Sequence, residues 1–200
     1  MKITVVGATG QIGHQVVEML TDAGHRVTAA SRSSGVDAIS GDGVAKAFDG
    51  ADVIVDVLNS PSLEPGPALD FFTNSATTLL SAAKTAQVKH YVLLSIVGVD
   101  DIEADGYLRG KLVQEELVAA VVARAAAEAP RDGVLNFGGP EKMSFAELAR
   151  TVFTHHGKDL PVIVDPQATY FGVPVQQNSL VTDDDAERGK TRLVDWLGRR

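Results

Sequence analysis

The chain has 200 residues, 44% apolar and 6% aromatic, enough for one globular domain with a single sizeable core. Its 26 acidic and 18 basic side chains give a formal charge of −8, which argues against a nucleic-acid or anionic-membrane partner. With no cysteine, disulfides, thiolate chemistry and cysteine-held metal are excluded and a reducing cytoplasm is the expected setting.

Met1 leads straight into Lys2-Ile3-Thr4-Val5-Val6, an apolar run too short for a signal peptide or a membrane span, and no later run reaches membrane length. A soluble chain with no membrane partner is expected. Short β-branched runs at Ile3–Val6, Arg26–Ser31, Asp52–Leu58 and Tyr91–Ser95 alternate with amphipathic stretches at Gln11–Ala23 and Ala68–Gln87. That alternation predicts a parallel sheet joined by crossover helices. Val53-Ile54-Val55 and Val92-Leu93-Leu94 are continuously apolar, the pattern of central strands covered on both faces. Ser60 to Pro67 is plainly loop-like and is placed after a strand, at the edge where a ligand would lie.

Tyr107–Ala129 reads as one long amphipathic helix stopped by Pro130, unless a break near Ala119 divides it. Val134–Phe137 predicts a late strand, and the turn Gly138-Gly139-Pro140 follows it. Ser144 with Glu147 is a capping box opening a helix to about His155, and His155-His156 before Gly157 suits the end of that helix better than a metal site. Leu160–Val164 is a candidate last strand, Asp183-Asp184-Asp185 an acidic turn without calcium-loop spacing, and Leu193–Leu197 a possible final helix. No metal site is expected. One domain over 1–200 is read, with a core at 1–128, a late strand and helix within 133–157 and a tail at 166–200.

The run Gly7-Ala8-Thr9-Gly10-Gln11-Ile12-Gly13 follows the first strand directly and opens the first helix. In that setting Gly7 permits a tight turn, Gly10 lets the backbone approach a pyrophosphate, and Gly13 lets helix pack on strand. The helix N-terminus adds free N–H groups and the positive end of its dipole. The fold class read from this is α/β, a Rossmann-type doubly wound, mostly parallel sheet with helices on both faces. Its expected strand order is three-two-one-four, with the Val134 strand beside the fourth.

After the second strand, Ser31-Arg32-Ser33-Ser34 contains no carboxylate to hold a ribose 2′-hydroxyl, whereas Arg32 with its neighbouring hydroxyls can clamp a 2′-phosphate. This favours NADP over NAD; the plainer reading of Arg32 is a solvated loop arginine. Asp42 suits either an adenine contact or a turn former. The cofactor set so read is Gly7, Thr9, Gly10, Gln11, Ile12, Gly13, Ser31, Arg32, Ser33, Asp42 and Asn59.

Ser95 ends the fourth run, and Tyr107 and Lys111 follow, four apart and so on one helical face. For a tyrosine to exchange protons near neutrality its pKa must fall by about three units, roughly 4 kcal/mol, which a lysine one turn away can help supply. The ordinary alternative is a snorkelling lysine beside a packed tyrosine. With the glycine turn, the Ser-ended strand and Tyr-x-x-x-Lys together, the chain resembles the short-chain dehydrogenase/reductase superfamily, in particular its atypical NmrA-like, NAD(P)H-binding branch. The likeness runs from Met1 to about Val118 and resumes at Val134–Ala149.

The resemblance implies Gly7, Gly10, Gly13 and Arg32 at the cofactor and Ser95, Tyr107 and Lys111 as the reaction triad. It also implies an NADP-dependent oxidoreductase acting on a small carbonyl or quinone, with a homodimer as the candidate assembly, or else a redox sensor that holds NADP without turnover. The chain departs from the family after the Tyr-Lys helix, where the family's fifth strand, substrate segment and sixth strand have no counterpart.

Overall fold

A computed structural model of the chain describes residues 1–97, 99, 133, 134 and 136–198. The described residues fall into two compact units, Met1–Asp132 and Gly133–Arg200. The long helix expected over Tyr107–Ala129 lies outside the described residues.

The first unit opens with β1 (Lys2–Val6), α1 (Gln11–Asp22) and β2 (Arg26–Ala30), then a 3₁₀ turn at Arg32–Ser34. It continues with α2 (Val44–Phe48), β3 (Val53–Asp56), α3 (Pro65–Thr85) and β4 (His90–Leu93). The strands form one parallel sheet in the order β2-β1-β3-β4. One face buries Ile3, Val5 and Ala8 against Val16, Val17 and Leu20 of α1. The other buries Val6, Ala30 and Ile54 against Val44, Ala47 and Phe48 of α2 and Leu79 and Ala83 of α3. Helices on both faces of a parallel sheet make this the α/β, Rossmann-type architecture expected.

Three expectations are corrected. The order three-two-one-four would place Val53-Ile54-Val55 on an edge; instead β3 pairs with β1 on one side and β4 on the other, the position its continuously apolar run requires. The stretch after β2 is folded into a turn, where the Asp37 side chain accepts from Ile39 N at 2.7 Å and Ser40 N at 3.2 Å. β4 is the last strand of the described sheet, and Val92 and Leu94 are 45% and 42% exposed rather than covered on both faces. The Pro65-Gly66-Pro67 part of the expected loop is the first turn of α3, where proline's missing N–H costs nothing.

The second unit comprises β5 (Phe137–Gly138), α4 (Phe145–His155), the hairpin β6 (Thr169–Tyr170) and β7 (Val173–Pro174), β8 (Glu187–Arg188) and α5 (Leu193–Leu197). The capping box of α4 is formed as read: Glu147 N donates to Ser144 Oγ at 3.2 Å, and Ser144 N to Glu147 Oε2 at 2.7 Å. The late strand pairs in parallel with β8 in a two-stranded sheet, not beside β4. Two residues exchange bonds with Glu187–Arg188, which leaves too short a ladder to serve a sheet edge. Leu160–Val164 is not a strand; Pro161 removes a donor, and Ile163 and Val164 are 85% and 67% exposed. No helix among the described residues is long and apolar enough to cross a membrane.

Candidate functional site

β1 is buried from Ile3 to Val6 and delivers the chain to a sharp turn at the carboxyl end of the sheet. Gly7 sits there at φ +85°, a left-handed conformation that a side chain strains. The Gly7 and Ala8 amides both donate to Ala30 O, at 3.0 and 3.2 Å, so the turn is tied to the end of β2. Gly10 caps α1 through its backbone, and His14 N makes the first helical bond to Gly10 O at 3.0 Å. The Gln11, Ile12 and Gly13 amides precede that bond and have no partner within the helix.

No side chain caps this end, and the first turn carries no acid to compete for an anion. A Cβ on Gly13 would lie 2.1 Å from Gly7 O, so the helix can sit this close to the turn only with glycine there. A Cβ on Gly10 would meet only Gly7 O, at 3.2 Å, so the outer side of the turn is open to a ligand. Thr9, Gln11 and Ile12 are exposed around that opening. The turn therefore fits a pyrophosphate: bare amides, a favourable dipole and room for close approach.

Beside it, Ser31 and Arg32–Ser34 leave the end of β2. Ser31 Oγ pairs with Ser33 Oγ at 2.8 Å, and Ser34 Oγ accepts from Ser31 N and donates to Ala29 O, which fixes the turn. Arg32 is exposed, and among the described residues no carboxylate lies within ion-pair distance of it. The Asp37 carboxyl is held below its usual pKa chiefly by the Ile39 and Ser40 amides, with a smaller contribution from the Arg32 charge. Asp42 is exposed and its carboxylate accepts from Ser40 Oγ at 2.8 Å, a turn-forming contact. Gly43, absent from the expected site, packs so closely that a Cβ there would stand 2.2 Å from Gly35 O. Glycines flanking Asp42 on both sides were the signal for it.

The far side of the opening is formed by the ends of β3 and β4. Asn59 follows β3 and is exposed. Ser95 follows β4; its Oγ is buried and has no hydrogen-bond partner among the described residues. Tyr107 and Lys111 lie outside the described residues, so Ser95 is the member of the expected triad that is placed. Two residues not singled out in the sequence meet beneath this edge: Asp56, fully buried, accepts from Tyr91 Oη at 2.9 Å. The signal was an acid closing the apolar run Val53-Ile54-Val55.

The second unit has an open groove of about 440 Å³ between Arg150, Thr151, Thr154 and His155 of α4 and Val194 and Leu197 of α5, and it contains none of the expected site residues.

Comparison with known proteins gives the family and the fold. A family model described as NAD(P)H-binding matches residues 7–132, more than half of the chain, beginning at the first glycine of the turn. A curated relative, the Photosystem II assembly factor Ycf39 of Cyanophora paradoxa, is 28% identical over 132 residues, covering 59% of this chain and 41% of that protein. The chain thus spans about two fifths of the length of this relative.

Among solved structures, the UDP-glucose 4-epimerase of Thermotoga maritima has a TM-score of 0.58 at 16% identity, covering 84% of this chain and 67% of that one. The UDP-N-acetylglucosamine 4-epimerase of Bacillus cereus has a TM-score of 0.56 at 18% identity, covering 78% and 66%. At such identities these two establish the fold. The glycine turn, the parallel sheet and the family match together place the chain in the NAD(P)H-binding family, with a Rossmann-type fold.

Proposed function

We propose that the chain binds NADP(H) in preference to NAD(H) and is an oxidoreductase for a small carbonyl or quinone. The observation that carries the cofactor preference is Arg32, at the end of β2, set in a turn of serine hydroxyls with no carboxylate in the 31–34 stretch and no ion-pair partner among the described residues. A guanidinium there meets the extra charge of a 2′-phosphate, and an acid that would select a 2′-hydroxyl is missing. The amides of the Gly7–Gly13 turn hold the pyrophosphate, with Thr9, Gln11 and Ile12 around it. Asp42 faces the adenine side and Asn59 the nicotinamide side.

A bound nicotinamide supplies or accepts the hydride. On this chain's side, Ser95 Oγ, buried and unpaired among the described residues, is available to donate to a substrate carbonyl oxygen. Tyr107 would pass the proton, and Lys111, four residues further along the chain, would favour its ionised form. The test is a fluorescence titration with NADPH and NADH, followed by assay with NADPH against quinones, aldehydes and ketones. Tighter NADPH binding that Arg32→Ala erases, together with turnover that Tyr107→Phe removes without loss of NADPH affinity, supports the reading. Equal affinity for the two cofactors overturns the NADP assignment.

A second reading is a binding module that holds NADP without turnover. Two points favour it: the sequence from Lys111 to Ala129 reads as helix with no β-branched strand for a substrate segment, and the curated relative is named for assembly rather than for a reaction. Tight NADPH binding with no turnover of any carbonyl or quinone would select it.

A further inference from the structure

We infer that Asp56 and Tyr91 are positioning residues, a buried brace that sets the β3–β4 half of the cofactor site; the inference rests on the cofactor reading above. Asp56 is fully buried at the last position of β3. A carboxylate so placed is costly unless every oxygen is used, and a valine would continue the run Val53-Ile54-Val55 at no such cost. Asp56 spends its oxygens on the site's edge. Oδ1 accepts from Leu58 N at 3.0 Å, which bends the chain as it leaves β3, and Oδ2 accepts from Tyr91 Oη at 2.9 Å.

The main chain completes the bracing. Asp56 O accepts from Leu94 N at 3.0 Å, and Val57 N donates to Val6 O at 3.1 Å. The segment Asp56–Leu58 is thereby tied to β1 through Val57, to the end of β4 through Leu94, and to the core of β4 through Tyr91. It also bears on the phosphate turn, because a Cβ on Gly7 would stand 3.0 Å from Val57 O. Asn59 leaves this segment on one strand and Ser95 follows Leu94 on the next. Burial first, and then the Asp56 charge, raises the Tyr91 phenol well above its usual pKa, so the donor keeps its proton.

The strand order assigns this edge to one half of the ligand. From β1 the chain turns outward to β2 and then back across to β3, so the crevice opens between the ends of β1 and β3. Arg32 at β2 holds the adenosine half in the cofactor reading. The nicotinamide half then lies over β3 and β4, above the Asp56–Tyr91 pair.

The experiment compares NADPH with 2′,5′-ADP, which carries the adenosine half alone, in the starting protein, Tyr91→Phe and Asp56→Asn. Loss of the phenol from a buried carboxylate should weaken NADPH about tenfold while changing 2′,5′-ADP affinity by less than about twofold. Asp56→Asn, whose carboxamide can still accept from Leu58 N and pair with the phenol, should retain NADPH affinity to within about threefold of the starting protein. NADPH affinity unchanged in Tyr91→Phe overturns the brace alone. Equal weakening of both ligands also overturns it, since that is the mark of general loss of structure. A starting protein with no affinity for NADPH overturns the cofactor reading, and the inference with it.

Discussion

The two compact units hold their chain by different physics. In the first, Val5, Phe48, Ile54, Phe72 and Leu79 are completely buried, and the sheet is packed on both faces. In the second, Val173 and Leu197 are the buried apolar residues among those described, and α4 buries none of its own. Order there comes from the capping box, short strand pairs and surface ion pairs. A site that must hold reacting groups to a fraction of an ångström belongs on the first kind of scaffold, and the glycine turn, Arg32, Asn59 and Ser95 are all attached to its strand ends.

The same substitution placed in each unit should expose this difference most strongly. Gly13→Ala puts a methyl 2.1 Å from Gly7 O, a backbone atom that cannot swing away, so α1 must shift off the turn. A loss of about 3 kcal/mol or more is expected, with NADPH affinity abolished. A Cβ at Gly139 in the second unit meets nothing within 4 Å, so Gly139→Ala should stay within about 0.5 kcal/mol of the starting protein. Urea unfolding followed by far-ultraviolet circular dichroism makes the comparison. A Gly13→Ala protein of full stability would show that the helix does not need its close seat.

Aromatic truncation comes next in size. Phe48→Ala empties a fully buried site between α2 and the sheet and should cost about 3–5 kcal/mol. Phe145 is 59% exposed and stacks on Tyr170 at 5.7 Å between ring centroids, so Phe145→Ala should cost only about 0.5–1.5 kcal/mol. Trp196, the single tryptophan, lies in α5 and lets fluorescence follow the second unit separately. Similar losses at the two positions would mean that the second unit has a core of the first kind.

The contrast also explains what could be read from the residues. Strands and helices of the first unit announce themselves because β-branched runs and helical periodicity record burial, and the glycine turn is legible because backbone conformation and close approach leave few choices of residue. Strand order is not written in the same way. The run Val53-Ile54-Val55 states that it is central, but not which neighbours make it so. The Asp56–Tyr91 contact, 35 positions apart, depends on that pairing and stayed hidden with it.

In the second unit the capping box was legible because Ser144 and Glu147 act within one turn. The pairing of Phe137–Gly138 with Glu187–Arg188 was not, because two-residue strands carry no periodicity. Leu160–Val164 has strand composition, yet composition alone supplies no partner for its backbone.

The cap gives the next smaller effect. Ser144→Ala removes the oxygen that accepts Glu147 N and releases the returning bond from Ser144 N, and should cost about 1 kcal/mol. The loss should be seen by tryptophan fluorescence in the second unit. A larger loss in the first unit would mean that the two do not unfold as the packing suggests.

The smallest expected effect is at the Arg192–Glu141 pair, where Nε and Nη2 of Arg192 donate to Glu141 Oε1 at 2.9 and 2.6 Å. The bond from Arg192 is the main reason the Glu141 carboxyl is held below its usual pKa, and both side chains are reached by solvent and screened by salt. A carboxyl whose folded pKa is depressed contributes its stability above the unfolded value of roughly 4.3 and loses it as pH falls through the folded value. Arg192, raised by the same partner, stays charged through that range. Thermal unfolding of the second unit should therefore show a slightly lower midpoint below about pH 4 than at pH 7 from this pair, and Arg192→Ala should flatten that part of the profile. The difference should shrink as salt is raised toward 1 M, where the screening length falls to about 3 Å. A profile for Arg192→Ala that matches the starting protein from pH 3 to 7 at low salt would show that the pair contributes nothing. The unit's order would then rest on its cap and its short strand pairs.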